Sequence, residues 1–307
     1  MTRRLATIAA VLAFIVVVAG AYVRLSDAGL GCPDWPFCYG QPVPERIADH
    51  DALAKAWKEM GHRYLAGALV LVVVALAALS WRAGRARWIS LGVLALILFQ
   101  ATLGAWTVTK LLKPAIVTAH LLGGMSILAL LTWLALEESS LRFQARALRA
   151  PALLALLALA VQIALGGWVS SNYAALACPD LPLCHGALVP PMDFRDAFRV
   201  VRELGQTAEG TLLGNDALTA IHWTHRMFAL VVLALAGWAA WRAAKLARPL
   251  GVIVGAMVIL QFSLGVLNVA VSRPLPLAAA HNAGAAALLV ALVVLNFVAF
   301  RSPRAAP

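Results

Sequence analysis

"GAYVRLSDAGLGCPDWPFCYG" runs from Gly20 to Gly40, and "GGWVSSNYAALACPDLPLCHG" runs from Gly166 to Gly186. Set against each other, the two stretches agree at Gly20, Val23, Ala28, Leu30, Cys32, Pro33, Asp34, Pro36, Cys38 and Gly40. Each begins at the end of one apolar run and leads toward another. Three further pairings follow along the chain. "GHRYLAG" at Gly61 answers "THRMFAL" at Thr224, "QATLGAWTV" at Gln100 answers "QFSLGVLNV" at Gln261, and "AHLLGG" at Ala119 answers "AHNAGA" at Ala280. The offset grows from 146 to 163 and settles at 161, so the second loop is the longer by about 17 residues. The chain reads as two copies of one unit.

Composition decides what the unit is made of. Of 307 residues, 62% are hydrophobic and 13% charged, too little polar surface to cover a soluble core. Apolar stretches long enough to cross hydrocarbon, which takes roughly 20 helical residues, fall at 5–24, 64–81, 88–109, 115–136, 151–169, 221–241, 250–271 and 275–300. The alternating segments of a membrane barrel are absent, and spanning backbone must satisfy its own hydrogen bonds. The expected fold is an all-α integral membrane protein. Its eight transmembrane helices form two tandem four-helix bundles, residues 1–140 and 141–307. Four spans per copy is an even number, so both copies enter the membrane in the same sense, related by a pseudo-twofold axis along the membrane normal. The start, "MTRR" before an apolar run, also resembles a cleavable signal. The match between the ends of the first and fifth spans argues that the first belongs to the fold.

Cationic residues set the orientation. Arg3, Arg4, Arg82, Arg85, Arg87, Arg142, Arg146, Arg149, Arg242, Lys245, Arg248, Arg301 and Arg304 share one side of the eight-span arrangement, which is then cytoplasmic. The other side holds 12 of the 25 Lys and Arg and 12 of the 14 Asp and Glu. The net +11 therefore reports topology and gives no reason to expect nucleic acid as a partner. All four cysteines fall in the two external loops, where disulfides persist.

Four histidines repeat. His62 and His225 are expected at the outer ends of the second and sixth spans, and His120 and His281 about a turn into the fourth and eighth. Ionisable side chains at membrane depth are costly and point to function. Two imidazoles at one depth on neighbouring helices suit zinc, copper or haem iron. Zinc wants four ligands, or three and water, whereas each half offers two, so the arithmetic favours one bis-histidine haem per half. Gly61, Gly123, Gly124 and Gly284 lie beside these histidines and are read either as room for a flat macrocycle or as close helix packing. Arg24, Arg63 and Arg226 suit haem propionates or lipid phosphates. Glu59 precedes His62 by three residues, on the same helix face, while His222 holds that place before His225. A carboxylate can move protons, so the first half is read as the reactive one. His222 has no assigned role, and Gln100, Gln162 and Gln261 are read as structural.

"GAYVRLSDAGLGCPDWP", "EMGHRYLAG" and "TAHLLGG", with "CPDLPLC", "IHWTHRMFA" and "AAHNAGA", resemble the haem A synthase family over essentially the whole chain. The resemblance implies an oxidoreductase that converts a methyl group of haem O to a formyl group by two hydroxylations and loss of water. The haem A product would serve terminal oxidase assembly. It implies that His225 and His281 hold a haem b cofactor, that His62 and His120 hold the substrate haem O, and that Glu59 is catalytic. It further implies an electron donor left unnamed, partnership with haem O synthase and oxidase assembly factors, room for a homo-oligomer, and a place among the lipids of a bacterial plasma membrane with both termini cytoplasmic.

The family's cysteine pairs map onto Cys32 with Cys38 and Cys178 with Cys184. Two prolines and an aspartate between the cysteines favour a turn that would bring the sulfurs together. Zinc held by all four cysteines is the competing reading. For Cys178 with Cys184 a structural clip is preferred, while for Cys32 with Cys38 a redox or haem-handling role stands level with it. Two other functions compete: a di-haem b-type electron carrier, which leaves the divergence at Glu59 and His222 unexplained, and a quinone-linked thiol oxidase, which leaves the histidines idle.

Overall fold

A computed structural model describes residues 2–45, 47, 49–84, 86–137 and 145–301. Arg85, Arg142 and Arg304 of the orientation argument, and the boundary between 140 and 141, lie outside the described residues. Among the described residues eight helices are long and apolar enough to span a membrane: α1 (Thr2–Leu25), α2 (His50–Ala83), α3 (Arg87–Thr109), α4 (Pro114–Glu137), α5 (Arg149–Ser171), α7 (Asn215–Leu246), α8 (Arg248–Ala270) and α9 (Leu275–Phe300). A one-turn helix, α6 (Phe194–Ala197), sits in the connection from α5 to α7. These match the expected spans, with one class of difference. Helices α2 and α7 begin well before 64 and 221. Hydropathy fades at Lys55, Lys58 and Glu59, but the helix persists because Asp49 caps it, its Oδ1 accepting the Asp51 N–H at 3.0 Å.

Within the first group α1 packs on α2 and α4, and α3 on α2 and α4. In the second, α5 packs on α7 and α9, and α8 on α7 and α9. The groups meet through α1 with α9 and through α4 with α5 and α9. Helix α9 supplies the centre, with Leu288, Leu292, Leu295 and Phe297 buried, and Asn296 Nδ2 donates to the Ala152 carbonyl of α5 at 2.8 Å. Such polar contacts tie helices that gain little from burying one apolar face against another in lipid. Leu71, Leu98, Phe99, Val252 and Ile259 point outward, as a membrane surface requires.

The turns from α3 to α4 and from α8 to α9 share one geometry. Leu111 and Leu112 take φ of 49° and 56°, and Ser272 and Arg273 take 55° and 58°. These left-handed residues let the Leu112 N–H reach the Thr107 carbonyl (2.9 Å) and the Arg273 N–H reach that of Asn268 (2.7 Å), closing each helix end.

The α5–α7 connection crosses onto the first group. Lys113 Nζ meets Glu203 Oε1 at 2.6 Å, and Val200, Val201, Arg202 and Glu203 line, with Lys113, Ala115 and Ile116, a cavity of about 220 Å³. Arg202 anchors this crossing, bonded to Asn172 Oδ1 and lying 5.6 Å from the Trp168 ring.

Candidate functional site

The two cysteine loops are copies in atomic detail. Cys32–Cys38 and Cys178–Cys184 are disulfides with Cα–Cα of 4.8 Å, and no free cysteine remains. Among the described residues no group of three or more His, Cys, Asp or Glu is gathered to hold a metal ion, which overturns the four-cysteine zinc alternative. The carboxylate of Asp34 accepts the N–H groups of Tyr39 (2.7 Å) and Gly40 (2.8 Å), and Asp180 accepts those of His185 (2.7 Å) and Gly186 (2.9 Å). The Gly186 and His185 N–H groups hold the Asp180 carboxyl below its ordinary range.

Each loop is pinned to the helix that follows it by an arginine and an acceptor one turn before it. Arg63 Nη1 donates to the carbonyls of Asp34 (3.0 Å), Pro36 (3.2 Å) and Phe37 (2.7 Å), and its Nη2 pairs with Glu59 Oε1. Glu59 Oε2 accepts the Cys32 N–H at 2.9 Å. In the second loop Arg226 Nη1 donates to the carbonyls of Asp180 (2.9 Å) and Leu183 (3.1 Å), and its Nη2 to that of Cys178. His222 Nδ1 accepts the Cys178 N–H at 3.2 Å. Both acceptors are 4% exposed, so Glu59 does not lie in a wet loop end and His222 gains a role. The guanidiniums of Arg63 and Arg226 are engaged by loop carbonyls. Arg24, the third expected propionate partner, reaches the Ser170 carbonyl at 2.9 Å and lies 4.1 Å from the Tyr173 ring, with its Nε buried and unpaired.

His62 and His225 lie further into their helices than expected, because α2 and α7 begin earlier than hydropathy suggests. His62 follows the start of α2, His50, by twelve residues and His225 follows Asn215 by ten, while His120 and His281 each follow the start of their helix by six. Helices α2 and α4, which carry His62 and His120, both pack on α1 and α3, and α7 and α9, which carry His225 and His281, both pack on α5 and α8. Every ring rests on a glycine of the neighbouring helix. A Cβ added at Gly20 would stand 2.8 Å from His62 Cε1, and one at Gly104, Gly166 or Gly265 would stand 3.1 Å from Cε1 of His120, His225 or His281. Nothing larger fits there without moving the ring.

These four glycines were missed in the sequence, which drew attention to Gly61, Gly123, Gly124 and Gly284. Gly61 faces open space and Gly124 packs near Val17. Gly123 and Gly284 make room for glutamine amides, an added Cβ falling 2.1 and 2.3 Å from Oε1 of Gln100 and Gln261. The signal was present: Gln100–Gly104, Gln162–Gly166 and Gln261–Gly265 repeat one spacing. Gln100 Nε2 donates to the His120 carbonyl at 2.5 Å, Gln162 Nε2 to that of His225 at 3.0 Å, and Gln261 Nε2 lies 3.3 Å from His281 Nδ1.

Nδ1 of His62, His120 and His225 is buried with no hydrogen-bond partner. Buried polar atoms are normally paired. Imidazoles set two to a group, each against a bare backbone and three of them with an unpartnered Nδ1, fit a planar ligand taken from both sides by histidine better than they fit a closed metal cage.

Eight apolar helices carrying such pairs define a multi-pass membrane protein. The cytochrome oxidase assembly protein family matches residues 3–293, and the chain belongs to that family. It is 42% identical over 307 aligned residues to a heme A synthase of Shewanella oneidensis, covering 94% of this chain and 93% of that protein. It is 32% identical over 329 residues to a heme A synthase of Methylobacterium radiotolerans (94% and 86%), and 30% identical over 241 to one of Shouchella clausii (74% and 77%).

Proposed function

We propose that this chain is the haem A synthase of a bacterial plasma membrane, oxidising a methyl group of haem O to the formyl group of haem A. The observation that carries the reading is the set of four half-buried, glycine-backed histidines, two to each group of helices, in a chain whose relatives bear that name. Haem O is the substrate in residues 1–140, between His62 and His120. His225 and His281 in residues 141–307 would hold a haem b, which supplies one-electron transfer when bound. The repeated loops, turns and helix contacts support a pseudo-twofold axis along the membrane normal. Cationic helix ends support cytoplasmic termini and external cysteine loops.

The chain's own residues position and seal. The glycines let imidazoles stand against helix backbone without displacement. Glu59, one turn before His62, is the group placed to hold or release a proton at Oε1 or Oε2. To do so it exchanges its bond with Arg63 or with the Cys32 N–H. Arg63 and Arg226 hold the loops, and Arg24, whose Nε is unpartnered beside its bond to the Ser170 carbonyl, is the readiest of the three for a propionate. Both disulfides are clips: all four cysteines are at most 2% exposed, out of reach of a thiol-exchange partner. That burial weighs against the thiol oxidase.

Haem A should be extracted from cells that co-express the chain with a haem O synthase. An unchanged haem O pool would sink the synthase reading in favour of an electron carrier. Low-spin b-type haem should be lost in His225→Ala and His281→Ala; its full retention would overturn the assignment of halves.

A further inference from the structure

Resting on that reading, we propose that Gln100, Gln162 and Gln261 are positioning residues that latch histidine-bearing helices to their neighbours. Val16, the residue at the fourth such place, offers no side-chain donor to the His62 backbone, so that the first half releases its haem while the second retains it. The position is set by spacing. Gln100, Gln162 and Gln261 each precede by four residues the glycine on which a histidine rests, and the residue four before Gly20 is Val16. Gln100 ties α3 to the backbone of α4 at His120, Gln162 ties α5 to that of α7 at His225, and Gln261 ties α8 to the His281 ring. Among the described residues no side chain donates to the His62 carbonyl. In a membrane these ties matter because helix separation has little hydrophobic cost and interhelical hydrogen bonds hold the pair together.

A synthase must admit its substrate and discharge its product at every turnover, whereas a cofactor stays. A half with two latched histidines and a half with one are the arrangement those two tasks require. The asymmetry is in the chain's own side chains and owes nothing to the cysteine loops, whose clamps are alike.

The test is transfer of haemin from the purified, haemin-loaded protein in detergent to excess apomyoglobin, followed in the Soret band. Wild type should show two phases, the faster absent from His120→Ala. Val16→Gln should slow that phase, and Gln162→Ala should speed the slower one, each roughly three- to tenfold, the effect of one hydrogen bond. Val16→Met, similar in size to glutamine but no donor, should leave the fast phase unchanged. In electron paramagnetic resonance Val16→Gln should shift one of two low-spin ferric signals and leave the other. If Val16→Gln and Gln162→Ala leave their phases unaltered, or if Val16→Met slows release as much as Val16→Gln, the latch is wrong. If His120→Ala removes the slower phase instead, the assignment of halves fails while the glutamine variants still report on the latch.

Discussion

Glu59 and His222 accept the same hydrogen bond. One takes the Cys32 N–H on a carboxylate oxygen, the other takes the Cys178 N–H on an imidazole nitrogen, and each lies four residues before the arginine that grips the loop carbonyls. The repeat therefore demands an acceptor there, and the first half alone fills the demand with an acid.

That separates two jobs of Glu59 by substitution. Glu59→Ala strands a buried N–H and the Arg63 charge, and should lower stability by about 1–3 kcal/mol in thermal unfolding. Glu59→His, the second half's own solution, should unfold near wild type. Both should fail to make haem A. Conversion by Glu59→His at the wild-type rate would reduce Glu59 to a loop clamp.

Gly104→Leu and Gly265→Leu place side chains where His120 and His281 rings stand. Each should empty one half, so that haem content of the purified protein falls by about half while the other half's spectrum is kept. Gly61→Ala, facing open space, should bind haem as wild type does.

Thiol labelling of the native protein should find no reactive cysteine without reductant, since all four are buried and paired. Replacing either pair by serine should cost a similar amount, about 2 kcal/mol by loop-closure entropy, because both close loops of equal separation. A free thiol at Cys32 or Cys38 alone would restore a redox role to the first loop.

The Asp180 carboxyl, held low by the Gly186 and His185 N–H groups, contributes to loop stability at pH above its ordinary value near 3.8. That contribution fades as pH falls through the depressed value. Protection of the His185 and Gly186 amides against hydrogen exchange should drop in that acidic window for wild type and stay flat, at a lower level, in Asp180→Asn.

The eight spans and the paired histidines were legible because both rest on patterns a sequence displays, hydropathy and repetition. Helix ends at His50 and Asn215 were not, because charged helical turns carry no hydropathy signal. The glycines under the rings escaped for a different reason. Contact across helices is invisible in a chain read one helix at a time, so attention fell on Gly61 and Gly124, neighbours in number, instead of Gly20 and Gly104, neighbours in space. The loop carbonyls that Arg63 and Arg226 hold escaped for the same reason, since a cation beside a candidate ligand shows nothing in the sequence of the distant backbone it also grips. His222 had no legible role because its chemistry is borrowed from its counterpart, acceptor for acceptor.

The strap from Val200 to Glu203 lies on the α3–α4 turn, yet it is encoded some sixty residues after α4 ends. Translation runs from the amino terminus, and membrane helices enter in order. The first four helices are therefore in the bilayer while the residues that will cover their exposed corner are still unsynthesised. The newborn first half passes through a stage with that corner uncovered, closed only once α5 and its long connection have been made.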